Sequence, residues 1–353
     1  MRNTDENSRQ LLALPVVALN IAVLIGGAAA VVFVSQHNAE FQTTLRLWKY
    51  VEEENWGGIL QDKYADDVPN LLIIQIRNLA LFKLNRHTDQ MFTYPQVSKK
   101  VPSLETFADK LDCEDRIVYE YGEINAANMI AMRMMSPSMK NYKPHTVITL
   151  ALCAMQNDEI GLARKYLMLL SHSPLHKRWA KDRLQYINDK ALLDASLANS
   201  IDEHLAAVHS IMPKDMRAAF IPNVPFGSLY IQSILNRDYA SSPESIRQLR
   251  LMILLHMNRP QEFLRDFEIW HKNRPNVTEK LPVHFQEAIL ILAQYPLRTV
   301  PQHEFSPDIL ARYQKLVAFI NSRSRTDTSA LREQFGDTYW YYALLRQNNP
   351  QRQ

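Results

Sequence analysis

His172 and His176 stand four apart, the spacing at which two imidazoles on one helical face can hold zinc. Pro174 lies between them and spoils the shared face, and neither His-Glu-x-x-His nor His-x-x-Glu-x-x-His occurs in the chain. Carboxylates gather at Glu52–Glu54, at Asp66–Asp67, at Asp112 with Glu114 and Asp115, and at Asp158–Glu159. Two carboxyl groups held about 5–9 Å apart could cleave a glycosidic bond. Each group falls beside an expected helix end or turn, however, where acids cap amides and stay solvated, and that reading is preferred. Met129, Met132, Met134 and Met135 could line an adaptable groove, but they spread around one helix and read as core filling. Tyr339-Trp340-Tyr341-Tyr342 cannot all face inward from a helix. The run reads first as a closing cap, while Trp340, Tyr341 and Tyr342, with Trp48, are the candidate partner-binding residues. Catalytic, cofactor and metal positions are left unassigned.

Glycine narrows the chemistry further. Average usage of roughly 7% would place about 25 in a chain of this size, and there are eight. None is spaced for G-x-G-x-x-G, for G-x-x-x-x-G-K-[ST] or for G-x-S-x-G, which removes the usual phosphate cradles and the nucleophile elbow. Cys113 and Cys153 form no C-x-x-C, and they read as free, partly buried thiols in preference to a disulfide. Lys and Arg number 40 against 37 Asp and Glu, interleaved without a long run of one sign, so nucleic acid is not an expected partner. With 46% apolar and 22% charged residues the chain can bury a core.

These residues must be carried by helices. Residues 11–34 hold no charge and as a helix would span about 36 Å, against a hydrocarbon core of about 30 Å. A cleaved signal peptide would have a shorter apolar region ending in small residues, so an uncleaved single-pass anchor is expected. Arg9 abuts its start, which places a short polar tail, 1–10, inside and the bulk of the chain outside. Beyond it the apolar residues recur at three and four, without strand alternation or an Asn-Gly turn. Expected pairs are Phe41–Glu53 with Trp56–Tyr64, Pro69–Leu84 with Thr88–Phe92, Glu114–Tyr121 with Ile124–Met135, His145–Gln156 with Glu159–Leu170, and Pro243–His256 with Pro260–His271. Further helices are expected at Pro174–Asn188, Asp202–Ile211, Phe226–Arg237, Pro282–Ala293, Ser306–Asn321, Thr328–Phe335 and Asp337–Leu345.

Pairs at such intervals predict an all-α fold: an anchor followed by an α-solenoid of tetratricopeptide-like pairs over 38–346, then a polar tail, 347–353. A long irregular helical bundle is the competing architecture. In two pairs the small residues match that repeat. Gly122 breaks one, with Ala127 and Ala131 where its helices cross; Asp158 breaks the other, with Ala163 at the crossing.

Trp48–Trp56 (WKYVEEENW), Asn78-Leu-Ala-Leu, Tyr121-Gly-Glu-Ile-Asn-Ala-Ala, Ala163-Arg-Lys-Tyr-Leu and Phe335-Gly-Asp-Thr-Tyr-Trp-Tyr-Tyr together resemble an uncharacterised family of Bacteroidales membrane proteins. That family places several membrane spans ahead of a helical-repeat region, whereas this chain has one candidate span. The resemblance implies a bacterial inner membrane with the repeat region in the periplasm, and it supplies no reaction or ligand. The function expected is a membrane-anchored scaffold or adaptor for a protein partner, without catalysis of its own. The alternatives are an all-α toroid acting on or binding envelope glycan, and the regulatory half of a larger membrane enzyme. A toroid normally carries glycine-rich rim loops, and only Gly161 and Gly227 lie between 123 and 335.

Overall fold

The structure, a computed structural model, describes residues 16–31, 39–67, 69–97, 113–135, 144–189, 191–193, 234–235, 239, 242–274, 279–292, 300–322 and 328–348. Every regular element among them is a helix. Helix Asp202–Ile211 and nearly all of Phe226–Arg237 lie outside the described residues, as do the tail 1–10 and most of 347–353.

Within the expected anchor, a helix (α1) is described over 16–31, and 11–15 and 32–34 lie outside the described residues. No described helix is long and apolar enough to cross a membrane. All of α1 is exposed.

The helices that follow are α2 (Ala39–Glu52), α3 (Trp56–Gln61), α4 (Tyr64–Asp67), α5 (Leu71–Lys83) and α6 (His87–Gln90), the last running into a 3-10 turn at Met91–Thr93. Then come α7 (Glu114–Glu120), α8 (Ile124–Met134), α9 (Pro144–Gln156), α10 (Ile160–Ser171) and α11 (Lys177–Tyr186). The C-terminal group is α12 (Glu244–His256), α13 (Pro260–Asn273), α14 (Val283–Ile291), α15 (Pro307–Asn321), α16 (Thr328–Phe335) and α17 (Tyr339–Asn348).

One turn recurs five times. Glu54, Asn85, Gly122, Asp158 and Asn258 all have φ between 53° and 87°. After each, the next N–H donates five residues back: Asn55 to Tyr50, Arg86 to Leu81, Glu123 to Val118, Glu159 to Ala154 and Arg259 to Leu254, at 2.8–3.2 Å. This closes the first helix in a Schellman motif. The second helix starts two positions beyond the left-handed residue, at Trp56, His87, Ile124, Ile160 and Pro260. The first four turns are 31, 37 and 36 residues apart. Asp158, expected to break its pair, takes the left-handed position there. A side chain in that region costs about 1–2 kcal/mol, less for Asn and Asp and nothing for Gly. Gly122→Ala is therefore expected to lower stability by about 1–2 kcal/mol, while Asn258→Gly should be neutral or slightly stabilising; urea unfolding followed by helical circular dichroism measures both.

From α2 to α11 neighbours stack in chain order: α2 and α3 on α5, α5 on α7, α7 on α8, both on α9, then α9 on α10 and α10 on α11. The first helices of the hairpins are the wrapped ones. In α5, α9 and α12 nearly every side chain past the first turn is buried, whereas α8, α10 and α13 keep an outward face. Neighbour-only stacking does not extend over the whole of 38–346, because α6 packs against both α12 and α14. The reason lies in the length of α6. Four residues cannot cover the apolar end of α5, and Met91, Phe92 and the returning C-terminal helices complete that core.

Candidate functional site

Two interior clusters gather the chemically capable side chains. The first forms where the α2–α3 turn, the end of α5 and α7 meet. The Glu120 carboxylate is fully buried and accepts from Lys83 Nζ at 2.9 Å and Arg116 Nη2 at 2.6 Å. Lys83 also lies 5.5 Å from the Trp56 ring centroid, and Arg116 5.4 Å from that of Tyr119. Glu54, in its strained turn at the rim, has its carboxyl held above the usual carboxylate range, by desolvation first and then by the charge of Glu120. Arg116, Lys83 and Arg183 oppose that shift. A raised acid beside a second carboxylate is a pattern that acid–base chemistry uses. Here the second carboxylate is clasped by two cations, which commits it to holding α5 against α7.

Several other acidic groups also have partners. Trp48 Nε1 donates to Glu52 at 3.2 Å, Asp62 pairs with Arg46, and Asp66 with Arg77. Asp115 is buried at the start of α7, beside Cys153, whose thiol is pushed well above its ordinary range mainly by burial. Cys113 and Cys153 are both free and buried. In the C-terminal half Glu304 is buried between His271 Nε2 at 2.6 Å and Arg274 Nη2 at 2.9 Å. Among the described residues no three His, Cys, Asp or Glu could share a metal ion. His172 directs Nδ1 to the Met168 carbonyl at 2.8 Å.

The second cluster joins α6 and its 3-10 turn to the C-terminal helices. The Phe92 N–H donates to His284 Nε2 at 3.2 Å, so the ring proton resides on Nδ1, which donates to Glu287 Oε2 at 2.9 Å. The same oxygen accepts the Tyr339 N–H at 2.9 Å, and the Glu287 carbonyl accepts Trp340 Nε1 at 2.7 Å. Tyr342 donates to the His256 carbonyl at 2.9 Å, with His256 Nε2 at 3.1 Å from its oxygen. The Phe92 ring lies 5.0–5.2 Å from those of His284, Tyr339 and Tyr342. His87, fully buried, touches the Phe82 ring, and neither of its nitrogens has a hydrogen-bond partner among the described residues.

The expected partner-binding residues lie mostly in the interior. Trp340 is completely buried, Tyr342 and Trp48 nearly so, and Tyr341 half-buried. The helix that carries the aromatic run is covered by α14 on one side and α16 on the other, so its rings face protein in more than one direction. Trp48 meets the His145 ring at 5.9 Å. Ala127, Ala131 and Ala163 are fully buried, and Gly122 takes φ 87°. Of the interior clusters, the Arg116–Glu120 spacing of four and the His284–Glu287 spacing of three, each on one helix, were readable signals. Lys83 carried none, since its partner comes from packing.

A shallow open groove between α15 and α16 is lined by Asp308, Ala311, Arg312, Lys315, Gln334 and Phe335. Its guanidinium is already engaged, with Asp337 and the Gln334 carbonyl. A protein family described as a family of unknown function (DUF6057) matches residues 5–346. No curated protein and no solved structure matches the chain.

Proposed function

We propose, for a chain that belongs to the DUF6057 family of unknown function, that it is a membrane-tethered helical-repeat scaffold, which binds a protein partner at the bacterial envelope and performs no catalysis of its own. The observation that carries this reading is the outward face of the second helices. Met132 on α8 and Leu162, Met168 and Leu169 on α10 are exposed, although the first helices beneath them are sealed. Apolar side chains grouped in this way on a folded surface mark a contact site. The interior carboxylates Glu120, Glu287 and Glu304, by contrast, are engaged by neighbouring cations, an imidazole or backbone N–H groups. Recurrent Schellman turns support tetratricopeptide-like hairpins, and exposed, uncharged α1 supports a tether made by segment 11–34. In this reading the bulk of the chain lies on the periplasmic side of an inner membrane. A tether of this kind raises the local concentration of whatever the scaffold holds.

The test is crosslinking in native cells, followed by recovery of the full-length protein and mass spectrometry. A Met168→Glu, Leu169→Glu double variant should lose at least about 90% of its main protein partner, since two charges would have to be buried in the contact. Its thermal unfolding should match the parent. Undiminished recovery would sink the reading. So would copurification of glycan without protein, which would favour the glycan alternative.

A further inference from the structure

Beyond α10 the chain turns at Ser173–His176 and enters α11. Leu175 projects from this turn with 88% of its surface exposed, more than any other large apolar residue described. Lys177, Arg178 and Lys181 follow on the solvent face of α11. They fall within about 100° of arc, at 0°, 100° and 40° around the helix. None of the three pairs with a carboxylate among the described residues. Residues 160–183 hold six Lys and Arg against one Asp, whereas the whole chain is only +3. The positive charge is therefore concentrated at this end of the stack, around an apolar tip.

We propose that this corner docks on an anionic lipid surface, Leu175 entering the headgroup layer while Lys177, Arg178 and Lys181 meet phosphate-bearing headgroups. Charge complementarity selects this occupant. Three exposed cations beside one protruding leucine match a plane of negative headgroups over an apolar interior, the balance that interfacial helices use. A protein groove would need a larger apolar contact than one side chain to exclude water. The inference rests on the tether reading, since a tethered domain meets the bilayer at high local concentration. It adds an orientation: with this corner on the membrane, the stack cannot tumble freely about its tether.

The test uses full-length Leu175→Cys labelled with an environment-sensitive fluorophore; the native Cys113 and Cys153 are buried and stay unlabelled. The protein is reconstituted into vesicles of phosphatidylcholine alone or of phosphatidylcholine mixed with phosphatidylglycerol. Emission is expected to shift blue and brighten only in the mixed vesicles, and to revert in high salt. Replacing Lys177, Arg178 and Lys181 with Gln should lower the docked-to-undocked ratio about fivefold per cation, roughly a hundredfold for all three. A label that stays polar in both lipids overturns the proposal, as does one that responds equally to both. Response only to an added acidic protein would also overturn it, by assigning the corner to a protein. Flotation with pure phosphatidylcholine vesicles reports the tether separately, so failure of the tether and failure of docking are distinguishable.

Discussion

Trp340→Ala is expected to destabilise the protein by about 3–5 kcal/mol, the range for deleting a fully buried large aromatic. The indole is completely buried, with ring neighbours Tyr313 at 5.5 Å and Phe335 at 6.5 Å. Truncation opens a cavity between α14, α15 and α17 that these rings cannot collapse to fill. It also strips the Glu287 carbonyl of its indole donor, which sits at 2.7 Å. Because Glu287 in turn holds His284 and the Tyr339 N–H, the loss spreads into the seam with α6. Trp340→Phe separates the two contributions: most of the volume stays, the hydrogen bond goes, and about 1–2 kcal/mol should be lost. Urea midpoints at fixed slope measure both. If Trp340 were a surface contact for a partner, alanine would leave the midpoint where it is, and an unchanged midpoint would refute the burial argument.

Acid should unfold the protein through His87. Burial, with His284 adding a smaller effect, lowers its pKa from 6.5 to about 3. The sign follows from which state binds the proton. Between about pH 6.5 and pH 3 the unfolded chain is protonated at this residue and the folded chain is not, so stability falls as pH falls. The slope is about 1.4 kcal/mol per pH unit, and the loss approaches roughly 5 kcal/mol by pH 3. Asp337, whose carboxyl is held low chiefly by the hydrogen bond from Arg312, contributes only at more acidic pH, as protonation breaks that bond. The window from pH 6.5 to 5 is accordingly the one to read. There the parent should lose about 2 kcal/mol to this residue, and His87→Leu should lose correspondingly less. At pH 7 the leucine variant should be at least as stable, because it removes a buried imidazole N–H that has no acceptor among the described residues. Parallel pH profiles for the two proteins would show that His87 is not the acid-sensitive group.

Much of the local structure was readable from residue order alone. Turn chemistry at Gly122 and Asn258, apolar recurrence at three and four, and the scarcity of glycine act within one or two helical turns, so the all-helical class and most hairpin breaks follow without knowledge of the fold. Small residues at Ala127, Ala131 and Ala163 belong to the same level, since close helix crossings need them wherever the helices lead. Asp158 belongs to that level too: it breaks its pair by taking the left-handed position that closes α9.

What only the tertiary structure decided are the choices made between distant segments. Phe92 and His284 meet although 192 residues separate them, and nothing in either neighbourhood encodes the other. Four aromatics in succession signal an unusual surface when α17 is taken by itself. With α14 and α16 packed against it, three of the four, Tyr339, Trp340 and Tyr342, are core. Carboxylates behave alike: the spacing of Arg116 and Glu120 is legible along one helix, but the second cation, Lys83, reaches Glu120 only when α5 packs against α7. Electrostatic and packing partners are set by where elements come to rest, and that depends on the length of α6 and the cover its neighbours need. Local propensity carries no record of such global complementarity, so helix and turn were determined by the sequence itself, while burial, pairing and the exposed basic corner at Leu175 awaited the folded arrangement.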